Sequence, residues 1–581
     1  MNLERFRSLV RCYIDKHQYD SAVFWADKVV TMSKGDVHDV YMLAQSLYHT
    51  KQYHRAAHLI RNRRLDKTHK AGRYLAAKCL EAVQKWEEAL NVLEGCDESD
   101  IMIFPPRIEE MKLDDQKDEL DRIPLQNVDS SMALLRGQIY SALENRIQAS
   151  ECYKQALFED VHCYEAFELL VKHQMLTAEE EKELLQSLPI SEQCPGEDLE
   201  FVRSLYQSLL KKYDRPVSTK LADSLTSLNT NLDIQTNTAE RHYYNCDFRT
   251  SYKITCSVLE SDPFHERCLP VHVATLVELK KSNDLFYLAH RLVDLHPDKA
   301  VSWFAVGCYY YLVGKNEPAR RFLSKATAID RLYGPAWLAF GHSFAAEGEH
   351  DQAMAAYFTA SRLMKGCHLP LLYVGLEYGL TKNFKLADKF FIQALGIASS
   401  DPFVLHEMGV VAFHNGDWET AVTHFNEALD IVQDISKQTL ADKWEPLLNN
   451  LGHVYRKLKR YEESLEYHRQ ALILSPQNPS TFSAIGYVYA LMGQFSIAID
   501  YFHKALGVGR DDTFSVTMLT HSIEQYIGEM SPCTGGSETV PDLEAVVKEE
   551  VVATTEKSNS SVDMEVEMNL EDSPMPQKIA K

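Results

Sequence analysis

Few residues of this 581-residue chain have the spacing of a catalytic or metal-binding motif. His406 and Glu407 begin a His-Glu-x-x-His pattern, in which two histidines on one helix face bind zinc, but the fifth position is Val410. No glycine-rich phosphate loop follows a predicted strand, and the 12 cysteines include no Cys-x-x-Cys pair. We therefore expect no catalytic residue, no metal site and no cofactor.

Composition and charge favour a protein that binds other proteins. The formal net charge is -22, whereas nucleic-acid binding depends on clustered Lys and Arg, so we expect no nucleic-acid partner. One basic run, Arg61–Arg64 with Lys67 and Lys70, is either a solvated corner between helices or a nuclear-import signal. No apolar run approaches the roughly 18 residues of a membrane-spanning helix, and the scattered cysteines are typical of a reducing compartment. We expect a soluble intracellular protein with no membrane contact.

The dominant pattern is a ladder of small residues between Val301 and Arg510. The glycines in step are Gly307, Gly341, Gly375, Gly409, Gly452 and Gly486, evenly spaced except for one longer step after Gly409. Their regular spacing of about 34 residues is typical of tetratricopeptide (TPR) repeats, each a pair of antiparallel helices, A then B. We interpret the glycines as repeat-packing positions where the two helices cross closely. A single repeat cannot bury its apolar face alone, so the predicted fold is all-α, a TPR superhelical solenoid.

Departures from the ladder predict the domain organisation. Between Gly409 and Gly452, nine extra residues around Gln433–Asp442 indicate a longer helix B or an inter-repeat loop. Ser531 and Ser573 each precede a proline in the tail and are candidate phosphorylation sites. The predicted segments are 1–95, N-terminal TPR repeats; 96–129, an acidic flexible insertion; 130–230, further TPR-like helices and a linker; 231–298, two repeats; 299–510, six strong repeats; 511–528, a capping helix; and 529–581, a disordered acidic tail.

The predicted binding surface is the concave face, which helix A lines mainly with its positions 2, 5, 9 and 12. The middle of this groove is apolar and its later part is polar, which suits a peptide with an apolar end. Asn449 and Asn450 are expected to hydrogen-bond the peptide backbone; the alternative is that several lining residues pack against the neighbouring repeat. The predicted groove residues are Phe304, Tyr311, Leu338, His342, Leu372, Leu376, His406, Val410, Phe413, Asn449, Asn450, His453, Arg456 and Tyr487.

Four segments carry a likeness more specific than the repeat pattern. They are Ala239–Phe248, Tyr333–Trp337, His350–Phe358 and Lys443–His453. With them, the chain resembles the subunit 6 family of the anaphase-promoting complex/cyclosome, a cell-cycle ubiquitin ligase, from Met1 to about Gly528. The resemblance does not extend to the acidic insertion or to the tail.

The resemblance implies a non-catalytic scaffold that forms a homodimer through its N-terminal repeats and stacks with sibling TPR subunits. It also implies that the C-terminal groove holds the N-terminal segment of a small partner subunit. We expect a location in the nucleus and cytoplasm, with spindle association in mitosis. The alternative function is a co-chaperone, because Asn449, Arg456 and Lys457 outline a clamp for a chaperone's C-terminal peptide. An enzyme with TPR repeats is disfavoured, since the chain has no room for a catalytic domain.

Overall fold

A computed structural model describes residues 3–94, 127–212 apart from 195 and 197, 223–436 and 442–529. Within these ranges all regular structure is helical, and no helix has both the length and the apolar character needed to cross a membrane. The chain divides into two compact units. Among the described residues, the first unit consists of those up to 241 and of 250–370, and the second of 242–249 and of those from 371 to 529. Nearly all of the predicted insertion and tail, including Ser531 and Ser573, lies outside the described residues.

The helices follow one another as antiparallel pairs. As far as residue 261 they are α1 (Leu3–Asp15), α2 (Tyr19–Met32), α3 (Val37–His49), α4 (Tyr53–Asn62), α5 (Leu65–Thr68), α6 (Lys70–Ala82), α7 (Trp86–Glu94), α8 (Val128–Ala142), α9 (Arg146–Glu159), α10 (Tyr164–Lys172), α11 (Ala178–Ser187), α12 (Ile190–Gln193), α13 (Asp198–Leu209), α14 (Leu232–Tyr244) and α15 (Phe248–Ser261). A 3-10 helix spans Asp223–Leu228, within the region predicted as a linker.

The remaining helices belong mainly to the strong repeats. They are α16 (Cys268–Glu278), α17 (Ser282–Leu295), α18 (Ala300–Leu312), α19 (Asn316–Ile329), α20 (Gly334–Ala345), α21 (His350–Leu363), α22 (Leu369–Leu380), α23 (Phe384–Ile397), α24 (Pro402–Asn415), α25 (Trp418–Ser436), α26 (Glu445–Lys457), α27 (Tyr461–Leu474), α28 (Pro479–Leu491), α29 (Phe495–Val508) and α30 (Thr513–Glu529). A short 3-10 helix, Asp442–Trp444, precedes α26.

Each glycine of the ladder lies under a large side chain of the following helix B. A Cβ added to Gly409 would lie 2.6 Å from Cε1 of Phe425, and one added to Gly486 would lie 3.0 Å from Cε1 of Phe502. The glycines Gly307, Gly341, Gly375, Gly409, Gly452 and Gly486 face Leu323, Tyr357, Phe391, Phe425, His468 and Phe502, respectively. In every pair the large residue follows its glycine at the same distance in sequence, so the period of the ladder places the same crossing in successive repeats.

Local sequence signals explain how individual helices begin and end. Thr177 forms a capping box at the start of α11, because its side chain accepts from the backbone N–H of Glu180 while the Glu180 carboxylate accepts from that of Thr177. The extra residues after Gly409 lengthen helix B, since α25 has 19 residues where α23 has 14. Residues 437–441, which complete that insertion, lie outside the described residues.

The 34-residue spacing of the repeats did not predict one contact between distant repeats of the first unit. The backbone N–H of Gly366, after α21, donates to the carbonyl oxygen of Gln174, after α10, over 2.8 Å. Met175 and Leu176 are buried beside this contact, as is Cys367. Two inter-helix turns from different parts of the repeat array therefore pack directly on one another within this unit.

Candidate peptide-binding groove

The predicted groove residues of the first unit are mostly interior side chains. Phe304 and Leu338 are 1% and 0% exposed, so they pack between helices and do not form an open lining. His342 is also buried, with Nδ1 2.7 Å from the hydroxyl of Tyr357 on the following helix B. Tyr311 alone remains half-buried, and burial raises the pKa of its hydroxyl to about 12. This part of the chain offers a peptide little surface beyond Tyr311.

The apolar groove residues of the second unit are divided between core and surface. Leu372 and Phe413 are buried, and the Phe413 ring meets Trp418 edge-on with ring centroids 4.8 Å apart. Leu376 and Val410 are half-buried. They lie on α22 and α24, and they are the apolar side chains of this set that remain partly accessible to a ligand.

The two asparagines on α26 are fully buried and already hydrogen-bonded within the chain. The Asn449 amide nitrogen donates to Oγ1 of Thr481 over 2.9 Å and to Oε1 of Glu445 over 3.2 Å. Its amide oxygen lies 2.7 Å from Nδ1 of His468, which must therefore carry the proton. Asn449 thus links α26 to α27 and α28, and is not available to a peptide backbone as predicted.

Asn450 makes a similar link to the preceding repeat. Its amide nitrogen donates to Nε2 of His406 over 3.0 Å, while Nδ1 of His406 lies 3.0 Å from a carboxylate oxygen of Glu407. The carboxylate holds the proton on Nδ1, so Nε2 is free to accept from Asn450. The adjacent residues Asn449 and Asn450 therefore hold α26 by two separate sets of side-chain hydrogen bonds, one to α27 and α28 and the other to His406 on α24.

Other polar atoms of the same repeat have no such partner. Among the described residues, no hydrogen bond is made by Oδ1 of Asn450, Nδ1 of His453, Nε of Arg456 or Nε2 of His468, and all four atoms are buried. A buried polar atom without a partner destabilises a protein by about 1–3 kcal/mol. Four such atoms lie within this one helix pair, and each could form a hydrogen bond with a group supplied by another molecule.

Burial also sets the ionisation of these side chains. Desolvation, together with the smaller effect of the nearby Arg456 guanidinium, lowers the pKa of His453 well below its ordinary value and that of His468 to about 3. The pKa of Arg456 is itself lowered by burial, and its guanidinium lies over the Tyr487 ring, 4.8 Å from the centroid. Both histidines are consequently neutral at physiological pH and act only as hydrogen-bonding groups.

His468 marks this repeat as different from its neighbours. It occupies the helix-B position that holds Phe391, Phe425 and Phe502 in other repeats of the second unit. We call α26 and α27, with their buried polar side chains, the polar repeat; these side chains are Glu445, Asn449, Asn450, His453, Arg456, Ser464 and His468. Sequence reasoning missed Glu445, His468 and Thr481 as members of the site. Only His468 left a readable signal, a histidine in a row of aromatic residues.

Two other chemical roles find no support in this geometry. No group of three or more His, Cys, Asp and Glu side chains is placed to hold a metal ion in the part of the chain that the structure describes. A carboxylate clamp built from Asn449, Arg456 and Lys457 is not arranged, because Asn449 and Arg456 are buried and only Lys457 is exposed. The polar repeat is suited instead to hydrogen-bonding an uncharged peptide backbone.

Comparison with known families agrees with the helix-pair architecture. Residues 15–96 match the family model described as "Anaphase-promoting complex, cyclosome, subunit 3". Residues 130–157 and 445–511 match models of the tetratricopeptide repeat. The second of these matched ranges contains the polar repeat.

Matches that extend over most of the chain define its family. The chain is 58% identical over 537 residues to the human "Cell division cycle protein 16 homolog", and this match covers 92% of this chain and 86% of the relative. The chain belongs to the Cdc16/anaphase-promoting complex subunit 6 family. Anaphase-promoting complex subunit 6 of Arabidopsis thaliana is 42% identical over 93% of this chain and 99% of its own. This Cdc16-family chain is therefore a TPR scaffold subunit of the complex and not an enzyme.

A solved structure of a Cdc16-family relative extends the likeness to three dimensions. The crystal structure of the APC/C hetero-tetramer Cut9–Hcn1 contains a chain with a TM-score of 0.73 and 35% identity to this protein. The match covers 90% of this chain and 96% of the other. The all-α TPR solenoid predicted from the small-residue ladder is thereby confirmed.

Proposed function

We propose that this Cdc16-family scaffold works as a homodimer whose C-terminal groove holds the N-terminal segment of a small partner subunit. The observation that carries the proposal is the likeness to a chain of the Cut9–Hcn1 hetero-tetramer, which extends over 90% of this protein. A hetero-tetramer named for two components can contain two copies of each. Such an assembly needs both a self-association surface and a site for a second, different chain.

The polar repeat supports the position of that second site. Asn450, His453 and Arg456 lie on α26 at intervals of three residues, so they are neighbours along the helix. Each has a buried polar atom without a partner, and a peptide backbone inserted beside α26 supplies both donors and acceptors. Because these atoms are covered in the single chain, we expect small side-chain rotations when the peptide enters. Half-buried Leu376 and Val410 provide the apolar end of the groove.

Replacing Asn450 and His453 together with Ala is expected to weaken peptide binding at least tenfold, since two hydrogen-bonding groups are lost. The probe is a fluorescein-labelled synthetic peptide with the N-terminal sequence of an Hcn1-type partner, titrated by fluorescence anisotropy. The control variant changes Glu466 and Gln470 to Ala, because these residues bond to each other on the outer face of α27. Undiminished affinity in the first variant, with unchanged helical circular dichroism, would contradict the groove assignment.

The N-terminal repeats offer an incompletely covered apolar surface for dimerisation. Val10 is the one buried residue of α1, while Leu3, Phe6 and Ile14 are half-buried. On α2, Phe24 leaves 56% of its surface exposed. Apolar side chains that a helix pair leaves accessible in this way are suited to contact with a second protein surface.

A Phe24→Asp substitution is therefore expected to shift the protein toward monomer at micromolar concentration, because it places a charge in the proposed interface. Sedimentation velocity of the full chain measures the change. Ile147→Asp is the matched control, since Ile147 is 65% exposed on α9, outside the first three repeats. If both variants remain dimeric, or if both dissociate equally, the N-terminal interface is wrong.

We also propose that this protein stacks with sibling TPR subunits and resides in the nucleus and cytoplasm. The match of residues 15–96 to a subunit 3 family model supports a common repeat architecture among such siblings.

Native mass spectrometry of the protein purified from cells tests the stacking, and fluorescence microscopy tests the location. A megadalton assembly that contains several TPR subunits is the expected result.

A further inference from the structure

A short stretch near the N-terminus reverses the charge of this acidic protein. Residues 51–70 contain Asp66 as their only acidic residue, whereas the whole chain has a net charge of -22. The cationic side chains of the stretch are all exposed, and we call them the basic corner: Lys51, Arg55, Arg61, Arg63, Arg64, Lys67 and Lys70. A cationic surface of this density on an anionic chain is a candidate interaction site.

The fold holds the basic corner in a defined arrangement. Ala56, Ala57 and Ile60 are the buried side chains of α4, and Leu65 anchors the start of α5. The opposite face of α4 and the turn after it therefore present the cations to solvent. Because Leu65 is buried and the run is divided among α4, the turn after it, α5 and the start of α6, its cations are held on a folded corner.

Two members of the corner pair with neighbouring carboxylates. Arg61 lies 3.5 Å from Glu88, and Lys70 lies 2.7 Å from Asp129, and all four side chains are more than one-third exposed. Such exposed pairs are weak and are readily exchanged for another anion. Arg63 and Arg64, at the centre, make no ion pair with a carboxylate of the described residues.

We propose that the basic corner docks an acidic, Asp- and Glu-rich segment of another subunit of the assembly. The charge of this surface is complementary to such a segment, and family membership places the protein among other subunits. The ten residues of α4 span about 15 Å, which matches four or five residues of an extended chain. Nucleic acid and anionic membranes are larger polyanions that would extend beyond the basic corner. There the remaining negative charge of the chain repels them, whereas a segment of four or five residues stays on the cationic surface.

The proposal is tested with the full chain and a fluorescein-labelled deca-glutamate peptide at 150 mM salt. Changing Arg55, Arg61 and Arg64 to Gln is expected to weaken binding at least tenfold, because it removes three positive charges and leaves polar side chains in their place. The matched control changes Lys382, Lys385 and Lys389 to Gln, which removes the same charge from exposed positions of the second unit. We expect less than a twofold effect of the control on affinity.

Four outcomes of this experiment would overturn the proposal. Absence of saturable binding to deca-glutamate is the first, and an equal loss of affinity in the control variant is the second. The third is tighter binding of a 12-nucleotide RNA, and the fourth is tighter binding of phosphatidylserine vesicles. Unchanged circular dichroism of both variants, together with a selective loss in the Arg variant, supports docking of an acidic segment at the basic corner.

Discussion

Alanine in place of Gly366 is expected to destabilise the protein by about 3 kcal/mol. The added Cβ would overlap the backbone carbonyl oxygen of Leu176, in the turn that packs on Gly366 within the first unit. A flexible side chain could rotate away from an added methyl group, but this neighbour is backbone, whose position is set by two flanking helices. Relief therefore requires that the two turns separate and that the hydrogen bond from Gly366 to Gln174 breaks. Thermal melting followed by circular dichroism measures the loss.

Gly396→Ala is the control for the substitution at Gly366. Gly396 lies within α23, and an added Cβ there meets no atom within 4 Å. Alanine at such a position stabilises a helix by roughly 0.5–1 kcal/mol relative to glycine. We expect the two alanine variants to change the melting temperature in opposite directions. Equal melting temperatures would show that the turns do not pack as closely as described.

Acidification from pH 7 to 5.5 is expected to destabilise the second unit through the histidines of the polar repeat. His468 has a pKa of about 3 in the folded protein and an ordinary value of 6.5 when unfolded. The unfolded state therefore binds the proton first, and stability is lost as pH falls from 6.5 toward 3. One such histidine contributes at most about 1.4 kcal/mol per pH unit in this window, and about half of that at pH 6.5. His453 acts in the same direction.

Replacing His468 with Phe isolates its contribution. The neighbouring repeats hold Phe at this position, so a Phe ring is expected to fit against Gly452 of α26. The substitution nevertheless removes the His468 N–H that donates to the amide oxygen of Asn449. That loss lowers stability at pH 7 by about 1–3 kcal/mol. The stability lost between pH 6.5 and 5.5, from urea titrations, should nevertheless become smaller by about 1 kcal/mol, because the unfolded histidine is only half protonated at pH 6.5. An unchanged slope would mean that His468 is already solvated or protonated in the folded state.

The polar repeat contributes both to packing between repeats and to the proposed binding of a peptide. Its hydrogen bonds join α24, α26 and α28, so it transmits packing between successive repeats. Its unpaired polar atoms are expected to gain hydrogen bonds, and the fold to gain stability, when a peptide binds. A partner that fills the groove is therefore expected to raise the melting temperature of the chain, since a ligand that binds only the folded state stabilises it.

The repeat architecture could be read from the sequence because it depends on local spacing. Gly409 and Phe425 belong to one helix pair, and their contact recurs in every repeat in which a small residue of helix A meets a large one of helix B. The capping box at Thr177 is equally local, since a side chain bonds a backbone group three residues away. Interactions of this range are determined by residue type and position alone.

The character of the candidate groove was decided by tertiary packing. Helix-A position alone could not tell whether Asn449 faced a ligand or a neighbour, because Thr481 and His468 approach it from the next repeat and from the facing helix. The same holds for Gly366, whose partner Leu176 is separated from it by several repeats. Spacing within a repeat carries no information on such contacts. They depend on how the curvature of many repeats accumulates, and that curvature exists only in the folded chain.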